Sequence, residues 1–129
     1  NQVSQVAALK QIEIIERDNI LENVKKEGNF IAQEVRKMAD KYPQIGEVRG
    51  LGFHIGIELI KDPATREADY IGCSAVRDAG FEFGIIFGVG GSGKGKNVLK
   101  IKPPLITTHK QAEEIIEKFV KTMGKVYGR

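Results

Sequence analysis

Two lysines beside a double proline form the clearest charged feature of the sequence. Lys100 and Lys102 are separated by one residue in segment 99–102, and prolines follow at 103 and 104. Alternate side chains of a strand point to the same face, and proline fixes the exit of the chain, so the two ammonium groups can face one ligand. The pattern indicates a site for a carboxylate or a phosphate. Solvated lysines on an edge strand, where they discourage aggregation, are the alternative.

A glycine-rich loop precedes these lysines. Residues 88–93 match G-x-G-x-x-G, and residues 88–94 match the first seven positions of a P-loop. A P-loop needs Ser or Thr after its lysine, where this sequence has Gly95, and both motifs need a following helix, whereas residues 98–101 have a strand pattern. The sequence favours a mobile loop between two strands. A stand-alone anion- or nucleotide-binding module built from Gly88–Asn97, with Lys94 as its key residue, remains the alternative.

The residue types for classical catalysis are sparse. His54 and His109 are the two histidines and Cys73 is the single cysteine, so neither a Ser-His-Asp nor a Cys-His arrangement is expected, and the spacing of metal ligands is missing. We predict that His54 is structural or faces solvent, that His109 lies in solvent at a helix start, and that Cys73 is a small packed side chain. No catalytic or metal-binding residue is predicted.

Helical periodicity covers the first third of the chain. Apolar residues recur every three or four positions from about Val3 to Tyr42, with an interruption predicted at residues 17–19, where Asp and Asn favour helix caps. Gly28 falls on the apolar stripe. Because glycine costs about 1 kcal/mol in a helix, we expect it to allow close packing against a neighbouring element.

The remaining two thirds of the chain alternate between strand and helix patterns. The expected elements are a strand pair within 45–60, a helix at Ala68–Ala79 stopped by Gly80, strands at Phe81–Val89 and Val98–Lys102, and a last helix. Thr108 and Gln111 give that helix the signature of a capping box. The order predicts an α+β fold, a small mainly antiparallel sheet covered by helices, in one domain of residues 1–129 with a helical segment at 1–43.

Composition excludes several functional classes. The 129 residues carry a net charge of +3 and one cysteine, so a disulfide scaffold is excluded and an intracellular protein is expected. No apolar run reaches the roughly 18 residues of a membrane span. Residues 81–129 hold nine basic and four acidic groups, but residues 90–110 contain no aromatic residue, which argues against a nucleic-acid partner.

Three segments, in this order, resemble one enzyme family. Residues 47–59, Glu-Val-Arg-Gly-Leu-Gly-Phe-His-Ile-Gly-Ile-Glu-Leu, are similar to the V-R-G-x-G-x-x-x-G-I-E-L strand of class III, fold type I aminotransferases that depend on pyridoxal phosphate. Residues 97–105 look like the L-R-x-x-P-P-L strand of that family. Residues 14–28 resemble the helix by which these enzymes enter their small C-terminal domain. The resemblance covers almost the whole chain.

The resemblance implies a fragment of a larger enzyme. In this family the Schiff-base lysine, the phosphate-binding loop and the aspartate beside the pyridinium lie in a preceding large domain, which nothing here resembles. The resemblance therefore implies an aminotransferase that binds pyridoxal 5'-phosphate in the parent protein, acts on small amines and 2-oxo acids, and forms a cytoplasmic homodimer. It implies no cofactor-binding residue in this chain, which would position substrate and close over the site.

The family's basic residue that binds the substrate carboxylate corresponds to Lys100, with Lys102 and Arg49 as further candidates. Lysine replaces the family's arginine here. Because lysine is a compact point charge without the planar fork of arginine, reduced preference for an α-carboxylate is expected. A phospholyase of the same family is therefore an alternative to the alanine–glyoxylate or 4-aminobutyrate type of aminotransferase.

Overall fold

The computed structural model describes residues 1–91 and 96–128, and these form four α-helices, a short 3-10 turn and a four-stranded sheet. The predicted α+β fold with a small antiparallel sheet and covering helices is confirmed, because every strand pair is antiparallel and the order is β1-β2-β4-β3. In chain order the elements are α1 (Gln2–Arg17), α2 (Ile20–Lys37), the 3-10 turn (Met38–Asp40), β1 (Ile45–Leu51), β2 (His54–Leu59), α3 (Tyr70–Glu82), β3 (Gly88–Gly90), β4 (Val98–Ile101) and α4 (His109–Tyr127).

One face of the sheet packs against helices and the other is open. Alternating side chains of β2 and β4 enter the core, where α2, α3 and α4 cover them. Burial of such side chains is the main driving force for folding, at roughly 25 cal/mol per Å² of apolar surface. The largest fully buried apolar side chains include Ile31, Val76, Phe119, Ile55, Ile57, Leu59 and Leu99. The intervening residues of the same strands point to the open face.

The first helix stands apart from this core. The predicted interruption at residues 17–19 is confirmed: α1 ends at Arg17, and Asn19 adopts a left-handed conformation with φ 50° before α2 begins. Every residue of α1 is exposed or half-buried. Val3, Val6 and Leu9 are 78%, 66% and 68% exposed. The helix therefore presents a broad apolar surface to its surroundings.

Gly28 allows α2 to approach the turn between β1 and β2. A Cβ atom at Gly28 would lie 2.3 Å from the carbonyl oxygen of Gly52, far inside van der Waals contact. Gly52 itself has φ 53°, a conformation that glycine adopts without strain. The expectation that Gly28 serves close packing is confirmed, and this contact fixes the position of the hairpin that carries Arg49 and His54.

Two predicted boundaries in the middle of the chain are wrong. The helix predicted at Ala68–Ala79 runs from Tyr70 to Glu82, and the strand predicted at Phe81–Val89 shrinks to Gly88–Gly90. Gly80 does not stop the helix. Its Cβ position lies 2.8 Å from the Phe87 ring and from the Ile85 carbonyl oxygen, so the glycine serves packing, and Gly84, with φ 69°, lies in the turn that follows the helix.

The predicted cap of the last helix is confirmed. The Thr108 side chain accepts a hydrogen bond from the backbone N–H of Gln111, and the Gln111 side chain accepts one from the backbone N–H of Thr108. At the other end of α4, the Tyr127 hydroxyl donates to Asp69 Oδ2 at 2.9 Å. Asp69 also caps α3 through the N–H of Gly72, so this contact joins the last helix to the third.

Candidate functional site

The open face of the sheet carries a basic depression. Arg49 of β1 pairs with Gly56 of β2, Gly56 pairs with Lys100 of β4, and Lys100 pairs with Gly88 of β3, which places these residues in one row across the strands. The depression has a volume of about 550 Å³. Its lining includes Arg49, Leu51, His54, Gly56, Val98 and Lys100.

Lys100 has its side chain laid over the neighbouring strand. A Cβ atom at Gly90 would lie 2.3 Å from its Nζ, whereas one at Gly88 would lie 3.4 Å from its Cβ. The two glycines therefore make room for a half-buried ammonium group. No ion pair involves Lys100 within residues 1–91 and 96–128. A positive group without an anionic partner is suited to receive one from a ligand.

The edge-strand alternative for these lysines is wrong, because β4 lies inside the sheet between β2 and β3. The structure also separates Lys102 from Lys100. Lys102 follows the end of β4, is exposed, and does not line the depression. Of the three candidates for substrate binding, the structure brings Arg49 and Lys100 to one surface and leaves Lys102 outside it.

Arg49 is held at its position by Glu47. Arg49 Nη1 donates to Glu47 Oε2 at 2.5 Å, and both side chains are about half exposed. Glu58, which flanks the same strand pair, accepts instead from Arg66 Nη2 at 2.9 Å. Arg49 and Glu58 therefore pair with different residues, and only Arg49 lines the depression.

His54 is a residue of this surface that sequence reasoning passed over. It is exposed, as the solvent-facing alternative predicted, but it also lines the depression beside Arg49. Residues at alternate positions of β2 share a face, so His54 and Gly56 point the same way. The alternation in the sequence placed His54 on one face of β2. That this face meets Arg49 depends on the pairing of Leu51 with His54 across the hairpin, which the sequence does not show.

His109 is exposed at the start of α4, as predicted, but it also contacts α2. Its Nδ1 is 2.7 Å from Glu27 Oε2, and its ring centroid is 4.6 Å from that of Phe30. Burial alone would raise the pKa of Glu27, but the contacts with His109 and Lys26 outweigh it and hold that pKa below its ordinary value. This pair joins α2 to the start of α4 and lies outside the basic depression.

Cys73 is a packed side chain, as predicted. It is fully buried, and burial together with the nearby Asp69 carboxylate raises the pKa of its thiol to about 11. Burial first, and then the hydrogen bond to Asp69, raise the pKa of the Tyr127 hydroxyl. A thiol with a raised pKa carries little thiolate at neutral pH, so Cys73 is not a nucleophile.

The described part of the chain also lacks a metal site, a membrane-spanning helix and the structural context of a nucleotide-binding motif. Among residues 1–91 and 96–128, no cluster of three His, Cys, Asp or Glu could hold a metal, and no helix is long and apolar enough to cross a membrane. Gly88–Gly90 leads toward strand β4, so no helix N-terminus follows as a nucleotide motif requires. Residues 92–95, with Lys94, lie outside the described residues.

The depression does not fit pyridoxal phosphate either. That cofactor requires a lysine for its aldehyde and a charged partner, commonly an aspartate, for its ring nitrogen. Within the described residues every lysine is exposed or half-buried, and the lining of the depression contains no carboxylate. Among the described residues, the lining of the depression is therefore basic and lacks the carboxylate that commonly partners the ring nitrogen of this cofactor.

Comparisons with known proteins agree with this architecture. The family model described as aminotransferase class-III matches residues 1–123. The chain is 33% identical over 120 residues to (R)-1-hydroxy-2-aminoethylphosphonate ammonia-lyase of Vibrio splendidus, covering 93% of this chain and 24% of that protein. It is 37% identical over 129 residues to taurine–pyruvate aminotransferase of Bilophila wadsworthia, covering 95% of this chain and 28% of that protein.

Solved structures of aminotransferases share this fold. A Bacillus anthracis aminotransferase superposes with a TM-score of 0.85 at 30% identity, covering 92% of this chain and 27% of that one. The chain thus spans about a quarter of the length of the relatives it matches. With a family model over 123 of its 129 residues, the chain belongs to the class III aminotransferase family.

Proposed function

We propose that this chain is the small C-terminal domain of an aminotransferase that depends on pyridoxal phosphate, and that it binds the anionic group of the substrate through Lys100. The observation that carries the proposal is the half-buried Lys100 ammonium on the open sheet face, which has no ion-pair partner among the described residues. The reaction would move an amino group from a small amine or amino acid to a 2-oxo acid. Arg49 is a further substrate-binding candidate, whereas Lys102 lies outside the depression and is not expected to contact the substrate.

The cofactor would be held by the rest of the parent protein, by which we mean the full polypeptide that carries this chain. Pyridoxal phosphate, when bound, supplies the electron sink for amino-group chemistry. The residues of this chain would orient the substrate, place positive charge beside its anionic group and exclude water when the small domain closes. The lack of a cofactor cradle in the described residues and the partial coverage of the relatives support this division.

The parent protein is further proposed to be a cytoplasmic homodimer. Soluble proteins rarely expose large apolar patches, so the exposed apolar side chains of this chain support contact with another domain or subunit. Ile71, Phe81 and Ile86 are 82%, 60% and 78% exposed, in addition to the apolar surface of α1. The large domain of the parent protein and a second copy of that protein would cover these apolar side chains.

The proposal is tested by amino transfer in the parent protein supplied with pyridoxal phosphate. An amine donor that carries an anionic group should yield alanine with pyruvate, and Lys100→Met should reduce the rate at low concentration of that donor. Lys121→Met is a matched control, since Lys121 is an exposed lysine on α4, in the opposite layer. Absence of alanine formation with a panel of donors, or equal rates for the two variants, would contradict the proposal.

A phospholyase is the second candidate. Lys100 stands where the family has an arginine, and one relative is named as an ammonia-lyase of an aminoethylphosphonate. Turnover of alanine with glyoxylate, compared with that of phosphoethanolamine alone, separates the candidates: release of phosphate from phosphoethanolamine indicates the lyase, and formation of pyruvate from alanine indicates the aminotransferase. Efficient use of alanine that Lys100→Arg does not improve would contradict the expected loss of preference for an α-carboxylate.

A further inference from the structure

We infer that residues 18–19 form a hinge, about which the sheet and its covering helices turn relative to α1 when the small domain closes. The inference rests on the proposed function, which supplies the closure, and it adds the boundary of the moving body. In this arrangement α1 stays with the preceding part of the parent protein, whereas α2 moves with the sheet.

α2 is fixed to the rest of the domain along its whole length. Near its start, the side-chain amide of Asn23 donates to two backbone carbonyls between β4 and α4, those of Leu105 at 3.1 Å and Thr107 at 3.0 Å. Near its end, Arg36 Nη2 donates to the carbonyl oxygen of Val48 on β1 at 3.0 Å. The glycine contact with the hairpin turn and the contact with α4, both described above, lie between them. α2 and the sheet therefore form one rigid body.

α1 lacks such attachments in the described part of the chain. Its side-chain hydrogen bonds stay within the helix and its two caps, α2 is the one element that it contacts, and none of its residues is buried. Ile14 and Ile15 face a groove of about 450 Å³, which Leu105 and Ile106 line on the opposite side. A groove of this size leaves room for α1 to change its angle to the segment that follows β4.

The junction between the two helices contains one left-handed residue. Asn19 has φ 50° and ψ 38°, and its side chain makes no cap hydrogen bond. Asp18 and Asn19 are both exposed, so no packed side chain holds the junction. Hinges are commonly a few residues at the end of an element that absorb the change in φ and ψ. A rotation at Asn19 therefore reorients α1 without breaking a buried contact.

α1 is long enough to make such a rotation measurable. Gln5 precedes Asn19 by 14 residues, which corresponds to roughly 21 Å along a helix. Each rotation of about 5° at the hinge therefore moves Gln5 by about 2 Å relative to the sheet. Asn29 on α2 and Lys121 on α4 belong to the same rigid body, so their separation stays constant. This contrast distinguishes a hinge from a general loosening of the domain.

The test measures distances between spin labels in the parent protein loaded with pyridoxal phosphate. One sample carries labels at Gln5 and Lys121, and the matched control carries them at Asn29 and Lys121, through cysteines introduced after other accessible cysteines have been replaced. The three labelled side chains are exposed, and the buried Cys73 thiol stays unlabelled. Aminooxyacetate, a carboxylate whose aminooxy group reacts with the cofactor aldehyde, should shift the first distance by at least about 2 Å and the second by less than about 1 Å.

Two substitutions of Asn19 test the hinge residue itself. Alanine disfavours the left-handed conformation, whereas glycine adopts it freely. Asn19→Ala should therefore change the Gln5–Lys121 distance before any ligand is added and lower kcat/KM about fivefold. Asn19→Gly should keep kcat/KM within about twofold of the wild type. The Asn29–Lys121 distance should stay the same in both variants, which partial unfolding would not allow.

The outcomes separate the hinge from the proposed function. Two unchanged distances after the cofactor absorbance has responded to aminooxyacetate, or equal shifts of both distances, would overturn the hinge and leave the proposed function intact. A Gln5–Lys121 distance that is the same in Asn19→Ala and the wild type would also overturn it. A cofactor absorbance that does not respond to aminooxyacetate would instead contradict the proposed function, and with it the closure on which the hinge rests.

Discussion

A methyl group added at Gly90 should displace the Lys100 ammonium while leaving the fold almost unchanged. The Cβ of Gly90→Ala would lie 2.3 Å from Lys100 Nζ and 2.4 Å from its Cε. Both atoms belong to the far end of a flexible side chain, so the lysine can move aside at little cost. Gly88→Ala is the matched control, because its Cβ would meet Lys100 Cβ at an ordinary 3.4 Å.

The size of the effect follows from the displacement. Non-bonded carbon atoms prefer separations of about 3.5–4.0 Å, so the head of Lys100 must move by at least about 1 Å. At an effective dielectric constant of about 20, two unit charges interact by about 5.5 kcal/mol at 3 Å and about 4 kcal/mol at 4 Å. The difference corresponds to roughly tenfold in affinity, and solvent screening of a half-exposed group reduces it to about threefold to tenfold.

The assay is the inhibition constant of butyrate for the parent protein, measured for wild type, Gly88→Ala and Gly90→Ala at equal ionic strength. Gly90→Ala should bind butyrate about threefold to tenfold more weakly, whereas Gly88→Ala should stay within about twofold of wild type. Urea unfolding should place both variants within about 0.5 kcal/mol of wild type. Equal affinities for the two variants would show that the glycines of β3 do not position Lys100.

Three further predictions concern the packing that holds the site. Gly28→Ala should lower the free energy of unfolding by about 1–3 kcal/mol, because overpacking against the β1–β2 turn outweighs the gain in helix propensity. Glu27→Gln should cost about 1–2 kcal/mol at neutral pH through its contact with His109, and Tyr127→Phe a similar amount through its lost hydrogen bond. Because the pKa of Glu27 in the fold is lowered from its ordinary value of about 4.5, its carboxylate stabilises the fold above that value, and this contribution is lost as the pH falls through the lower pKa of the folded state. The free energy of unfolding of Glu27→Gln should therefore fall less steeply in acid than that of the wild type.

Urea denaturation between pH 3 and pH 7 measures all three effects. Gly124→Ala is the control for Gly28→Ala: its Cβ would lie 3.4 Å from the Tyr42 hydroxyl, so the helix propensity gained there should leave stability unchanged or raised. The packing argument fails if Gly28→Ala is as stable as Gly124→Ala. Parallel pH profiles for wild type and Glu27→Gln would contradict the pKa argument, and an unchanged midpoint for Tyr127→Phe would assign the link between α3 and α4 to apolar packing alone.

Local sequence signals predicted the local features of this fold. The cap at Thr108 depends on side chains that bond nearby backbone groups, and the alternation in β2 marks its two faces directly. The interruption at residues 17–19 has another cause than the predicted side-chain cap: Asn19 adopts a left-handed conformation and its side chain makes no cap hydrogen bond. The predicted helix end at Gly80 was wrong, because the sequence does not distinguish a glycine that allows packing against Phe87 from a glycine that ends a helix.

The sequence predicted only those features of the candidate site that depend on one continuous segment. Lys100 was identified from its own strand, but its interior place in the sheet depends on β3 and β2, which lie far apart in the sequence. His54 and Arg49 meet at one surface through the register of the hairpin, and His109 finds Glu27 across 82 residues. Such long-range pairings have no local signature.

The most direct test of substrate binding at Lys100 is the KM of an amino donor that carries an anionic group, measured for Lys100→Met and Lys102→Met in the parent protein loaded with pyridoxal phosphate. Lys100 lines the depression and Lys102 does not. Loss of a charge-assisted contact costs about 1.5–3 kcal/mol, so Lys100→Met should raise KM at least about tenfold with little change in kcat, while Lys102→Met stays within about twofold. Equal KM values for the two variants, or a larger effect from Lys102→Met, would contradict the assignment of substrate binding to the open face of the sheet.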